Sequence, residues 1–85
     1  MEYRINLRKS AEKALRKLEP KYQKLVYEKL LELADAPRGH KCEKLSGTDT
    51  GYRMVAWPYR ILYTIDDSDK SLDVYLIAHR KEAYR

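Results

Sequence analysis

The stretch Gly51-Tyr52-Arg53-Met54-Val55-Ala56-Trp57-Pro58-Tyr59-Arg60-Ile61-Leu62-Tyr63-Thr64-Ile65 decides how this chain folds. Two runs rich in aromatic and branched residues flank a tight connection at Trp57-Pro58, the pattern of an antiparallel strand pair. A third run over residues 72–79 follows an acidic turn at residues 66–71 and adds a further antiparallel strand. Pairing Ala56 with Tyr59 and Ile65 with Leu72 sets the register. Alternation then puts Tyr52, Met54, Ala56, Tyr59, Ile61, Tyr63, Ile65, Leu72, Val74, Leu76 and Ala78 on one face. That face is almost wholly apolar and is the one a helical layer covers. The other face carries Arg53, Val55, Arg60, Leu62, Thr64, Asp73, Tyr75, Ile77 and His79. In this register Arg60 lies opposite Val55 and Ile77, with Arg53 and His79 one diagonal step away.

Upstream, Tyr3-Arg4-Ile5-Asn6-Leu7 alternates as a half-buried strand does. Ser10 offers a helix N-cap, and Ala11, Ala14, Leu15 and Leu18 follow at helical spacing. Pro20 suits the first turn of a second helix, with Tyr22, Leu25, Val26, Leu30, Leu33 and Ala34 as its apolar stripe. The short link around Glu19 predicts an antiparallel helical hairpin. Ala36-Pro37-Arg38-Gly39 ends it, and a loop runs to about Thr50. The expected architecture is α+β: a βααβββ order with the hairpin on one face of a mainly antiparallel four-stranded sheet. Residues 1–85 form a single domain, and an 85-residue chain buries about 60–65% of its unfolded surface.

Charged residues make up 36% of the chain, with 18 Lys and Arg against 13 Asp and Glu, a formal net charge of +5. Such a balance favours polyanionic partners, whether nucleic acid or an acidic protein. The acids gather in Asp66-Asp67-Ser68-Asp69, and the bases in the first helical region and at the C-terminus. No apolar run approaches the ~20 residues of a membrane span, and Met1-Glu2-Tyr3-Arg4 does not begin a signal peptide. A single cysteine, Cys42, allows no internal disulfide and has no metal-ligand spacing around it, so a reducing, cytoplasmic setting without a metal or cofactor is expected.

The βααβββ order, Lys44-Leu45-Ser46-Gly47, Gly51-Tyr52-Arg53 with Tyr59-Arg60-Ile61-Leu62-Tyr63, and the ending Ile77-Ala78-His79-Arg80-Lys81-Glu82-Ala83-Tyr84 together resemble toxins of the RelE/ParE superfamily. The resemblance covers essentially the whole chain. It implies the toxin of a toxin–antitoxin system, with an acidic antitoxin as partner in a hetero-oligomer. In the RelE-type branch it implies an endoribonuclease that cuts messenger RNA on the ribosome by attack of a ribose 2′-hydroxyl on the adjacent phosphate. In the ParE-like branch the implied activity is inhibition of DNA gyrase without nucleolysis.

On the RelE-type reading, the resemblance assigns Arg60 to the reacting phosphate, a role that suits a forked, permanently charged guanidinium. Without it, Arg60 equally suits an ion pair with Asp73. Arg80 aligns with an arginine near the leaving oxygen, where charge stabilisation is its natural role. Tyr84 matches a tyrosine that orients the substrate or stacks on a base. His79 is the residue best suited to accept and donate protons near neutrality, and several members of the superfamily have a histidine at or near its position. Arg53, Lys44, Lys41 and Lys81 are expected RNA contacts, and His40 is a loop residue. The chain departs from the RelE pattern at Arg53-Met54-Val55, where that pattern has two lysines, so the identity of the general base stays open.

Overall fold

The computed structural model describes residues 3–39 and 41–82. Its elements run β1 (Arg4–Leu7), α1 (Lys9–Lys17), α2 (Pro20–Asp35), β2 (Cys42–Lys44), β3 (Gly51–Ala56), β4 (Tyr59–Asp66) and β5 (Ser71–His79). The α+β class and the helical hairpin are as expected, but the sheet has five strands, in the order β1-β5-β4-β3-β2. The extra strand, β2, lies in the segment expected to be a loop and pairs antiparallel with β3, Glu43 opposite Arg53 and Lys44 opposite Tyr52. Its three residues are too few to display a period. β1 is parallel to β5, and every other pairing is antiparallel.

Lys44-Leu45-Ser46-Gly47 turns the chain from β2 into β3. The Leu45 amide donates to the Gly51 carbonyl at 2.9 Å, and the Thr48 hydroxyl donates to the Leu45 carbonyl at 3.2 Å. Gly47 has φ +79°, a left-handed conformation that any Cβ would strain, so the turn itself accounts for the glycine.

The helices start and stop for local reasons. Pro20 occupies the first turn of α2, where its missing N–H costs nothing. The Gln23 side-chain amide donates to the Leu15 and Arg16 carbonyls at 3.2 and 3.0 Å, joining the Leu18 amide, which also reaches the Leu15 carbonyl, in closing the end of α1. Ser10 is not the N-cap. Arg8 holds that position without a side-chain cap, and the Ser10 hydroxyl instead donates to the Tyr75 carbonyl at 3.2 Å.

Helices and sheet enclose one core of Ala11, Val26, Leu30, Leu33, Met54, Ala56, Ile61, Tyr63, Ile65, Leu72, Val74 and Ile77. Tyr63 is its largest fully buried side chain, stacked on Tyr52 with ring centroids 6.0 Å apart. Its hydroxyl donates to the Pro37 carbonyl at 2.7 Å, and burial pushes its ionisation far above the usual tyrosine range.

The two turns pair as expected, Ala56 with Tyr59 and Ile65 with Leu72. Between them β5 carries a bulge. Tyr63 faces Val74 while Leu62 faces Leu76, so Tyr75 has no counterpart on β4. The one-residue slip reverses every face assignment after it. Ile77 is buried opposite Ile61, whereas Leu76 and Ala78 share the outer face with Leu62 and Arg60. His79 pairs with Tyr59 on the helix side of the sheet, not with Arg53 and Arg60 as an unbroken alternation predicts. The Ser10 hydroxyl donates to the carbonyl of the bulged Tyr75.

Candidate functional site

The outer face, away from the helices, is where the arginines meet. Arg60 lies on β4 between Tyr59 and the fully buried Ile61, so its side chain leaves the sheet on the uncovered side. Its cross-strand neighbours are Val55 and Ala78. One guanidinium nitrogen, Nη1, is inaccessible to solvent. Just past β5 the Arg80 amide donates to the Pro58 carbonyl at 2.8 Å, which holds the end of β5 against the β3–β4 turn.

That turn presents Trp57, 59% exposed and followed by a cis peptide to Pro58. The guanidinium carbons of Arg80 and Arg60 lie 4.8 and 5.9 Å from the centroid of its indole. Two cations are thereby gathered beside an aromatic ring whose negative face offsets part of their repulsion. Such a cluster can grip a phosphate through forked N–H groups and stabilise negative charge building on it.

The other expected site residues are more dispersed. Arg53 is on the same face two strands from β5, where it donates to Glu43 at 2.7 Å. Asp73, the alternative partner for Arg60, is engaged by Arg8 at 2.7 Å. Lys44 shares the helix side of the sheet with Tyr52, at the β2 edge. Lys41 borders a shallow hollow of about 150 Å³ with Glu32 and Met54, away from the arginine pair. Lys81 is exposed in the turn after β5. His40 and Tyr84 lie outside the described residues.

His79 is half-buried in an aromatic cluster at the rim. Its ring meets Tyr59 edge-on with centroids 5.7 Å apart, and Tyr59 meets Tyr22 of α2 at 5.3 Å. Its Nδ1 accepts a hydrogen bond from the Lys81 amide at 3.2 Å, so the neutral ring carries its proton on Nε2. The imidazole braces the turn that follows Arg80.

Trp57 is the residue that pattern reading passed over. Its position beside Pro58 marks only a turn, but a lone tryptophan at an exposed connection, flanked by arginines on both neighbouring strands, was the available signal.

At the opposite end of the sheet the acidic turn is neutralised within the fold. Arg38 donates to both Asp67 carboxylate oxygens at 3.0 and 2.8 Å, and the Tyr3 hydroxyl donates to the same group at 2.7 Å. These bonds, Arg38 foremost, hold the Asp67 carboxyl at about 2. Arg4 pairs with Asp69 at 2.7 Å.

The sequence model for the ParE toxin of the parDE type II toxin–antitoxin system matches residues 5–84. The chain belongs to this toxin family, within the RelE/ParE superfamily. Among solved structures, the RelE–RelB complex from the archaeon Pyrococcus horikoshii OT3 contains a similar chain, at 27% identity and a TM-score of 0.85, covering 98% of this chain and 100% of that one. The isolated Escherichia coli RelE toxin is 25% identical with a TM-score of 0.81, over 91% of this chain and 83% of the other. A chain of the Mycobacterium tuberculosis RelBE2 complex shares the fold at 24% identity and a TM-score of 0.82, over 94% and 100% of the two chains. No curated protein gives a significant match. The RelE/ParE chain described here is thus the toxin of a type II system, and no described helix is long and apolar enough to cross a membrane.

Proposed function

We propose that this RelE/ParE toxin is an endoribonuclease that cuts messenger RNA on the ribosome. The observation that carries this reading is the convergence of Arg60 and Arg80 over Trp57 on the open sheet face. In the reaction a ribose 2′-oxygen bonds to the adjacent phosphorus, and the bond from phosphorus to the 5′-oxygen breaks. The 2′-hydroxyl loses its proton and the departing oxygen gains one, leaving a 2′,3′-cyclic phosphate and a 5′-hydroxyl. Arg60 grips the reacting phosphate, and Arg80 stabilises charge on the phosphorane and leaving oxygen. His79, turned to the helix side, positions Arg80 by holding the turn after it, and alignment of the RNA by the ribosome supplies much of the rate. Lys81 and Arg53 extend the positive track along the RNA, and the family resemblance assigns Tyr84 to orienting the substrate.

An acidic antitoxin is the expected partner. The Pyrococcus horikoshii and Escherichia coli RelE toxins have both been solved with RelB, and a segment with acidic side chains fits the basic outer face by charge.

The deciding experiment adds purified protein to translating ribosomes and maps breaks in the messenger. Cleavage that disappears in Arg60→Ala and Arg80→Ala supports the enzyme. A gyrase-directed, non-nucleolytic action is the second reading, favoured by the absence of His79 from the arginine face. Intact messenger together with inhibited gyrase supercoiling would establish it instead.

A further inference from the structure

We infer that Trp57 forms a nucleobase subsite, stacking on the base of a nucleotide whose phosphate is held by Arg60 and Arg80. The inference rests on the ribonuclease reading for its reaction, but its geometry is independent of catalysis.

Trp57 is the chain's only tryptophan, and it sits 59% exposed at a tight turn. A ring of that size gains most when it is covered, so leaving it in water forgoes burial that the core would have rewarded. The two guanidiniums over the ring cover only part of it, and 59% of the residue stays open. Val55, 38% exposed, is the preceding outer-face residue and lies opposite Arg60, so two exposed apolar side chains neighbour the cations. Single-stranded nucleic acid is held by this combination, aromatic faces for bases beside positive groups for the backbone.

The distances suit one nucleotide. Its base and phosphate are separated by a single sugar, and the two guanidinium carbons lie 4.8 and 5.9 Å from the indole centroid. A phosphate drawn to the arginines therefore brings its own base, or the next one, over the indole. Stacking is tolerant of base identity but strengthens with ring size, so the subsite favours purines over pyrimidines.

The lone tryptophan makes the test direct, because emission excited at the red edge, where the eight tyrosines do not absorb, reports this position alone. The full-length protein is titrated with a single-stranded oligoribonucleotide of about ten purines and with an abasic oligomer of the same length and charge. Stacking predicts strong quenching by the purine strand and little by the abasic one. Anisotropy with labelled purine strand should show Trp57→Ala weakening binding about fivefold or more, and Trp57→Phe staying near wild type. On ribosomes, Trp57→Ala should flatten any purine preference among the cleavage sites. Equal quenching by both oligomers, or unchanged binding in Trp57→Ala, would overturn the subsite and leave Trp57 as a brace for the arginines. Quenching by the purine strand alone from a protein that leaves messenger intact would keep the subsite and reject the nuclease. Cleavage with no effect of Trp57→Ala on binding or site choice would do the reverse.

Discussion

His79 and Arg80 are consecutive in the chain, yet they serve opposite sides of the sheet. His79 pairs with Tyr59 and packs edge-on against its ring on the helix side. Arg80 reaches across the β3–β4 turn to lie over Trp57 beside Arg60. The division follows from the bulge at Tyr75, which sets the parity of everything after it. An imidazole and a guanidinium that are neighbours in sequence are thereby separated in space.

This separation predicts an order of mutational effects. Arg60→Ala and Arg80→Ala should each lower the single-turnover rate of messenger cleavage by roughly 10²–10³-fold, the loss typical of removing one group that stabilises transition-state charge. Arg60→Lys should recover only part of it, since an ammonium cannot fork onto two phosphate oxygens. His79→Ala should cost less than about tenfold. Rates measured on ribosome-bound messenger check the order, and a His79→Ala loss as large as that of Arg60→Ala would restore the imidazole to the chemistry.

The bulge also makes a stability prediction. Ile77 is 3% exposed and packs in the core, whereas Leu76 lies on the outer face. Ile77→Ala should cost about 2–5 kcal/mol by urea denaturation, and Leu76→Ala much less. An unbroken alternation along β5 requires the opposite ranking.

Tyr63 joins the core to the end of the helical hairpin through one hydrogen bond. Tyr63→Phe keeps the ring stacked on Tyr52 but removes the donor at 2.7 Å from the buried Pro37 carbonyl. The expected loss is about 1–3 kcal/mol, the cost of leaving a buried acceptor unsatisfied. Thermal or denaturant unfolding of the variant measures it, and a change well below that range would mean that water replaces the hydroxyl.

Asp67 predicts how the fold responds to acid. The guanidinium of Arg38, and then the Tyr3 hydroxyl, hold its carboxyl at about 2, below the ordinary 3.8. A depressed carboxylate stabilises the fold fully above its unfolded value and loses that contribution as pH falls through the folded one. Wild type should therefore melt above Asp67→Asn at neutral pH, with the gap closing between about pH 4 and 2. Because the group is exposed, added salt should narrow the gap at every pH. Melting curves across that range would show a pH-independent gap if the carboxylate's charge were irrelevant.

The local order of this protein was legible in its residues alone. Period-two alternation along β3 and β4, helical stripes in α1 and α2, and the turn at Trp57-Pro58 are short-range features, written by neighbours a few positions apart. The same reading placed Arg60 on the uncovered face, because it alternates with Tyr59 and Ile61 of the apolar face. Beyond Val74 that logic fails for a physical reason. Val74-Tyr75-Leu76-Ile77-Ala78 is apolar throughout, so either parity satisfies its own pattern and neither glycine nor proline marks the bulge. Only packing decides it: Ile77 fills the core opposite Ile61, and Ser10 on α1 supplies a donor for the Tyr75 carbonyl. β2 was hidden in the same way, its three residues defined by pairing with β3 and not by any period of their own. The sequence by itself determined every element but β2, the charge and the resemblance to the toxin family. The tertiary structure alone decided which side of the sheet Leu76 to Arg80 serve, because that depends on a one-residue slip stabilised by contacts distant in the chain.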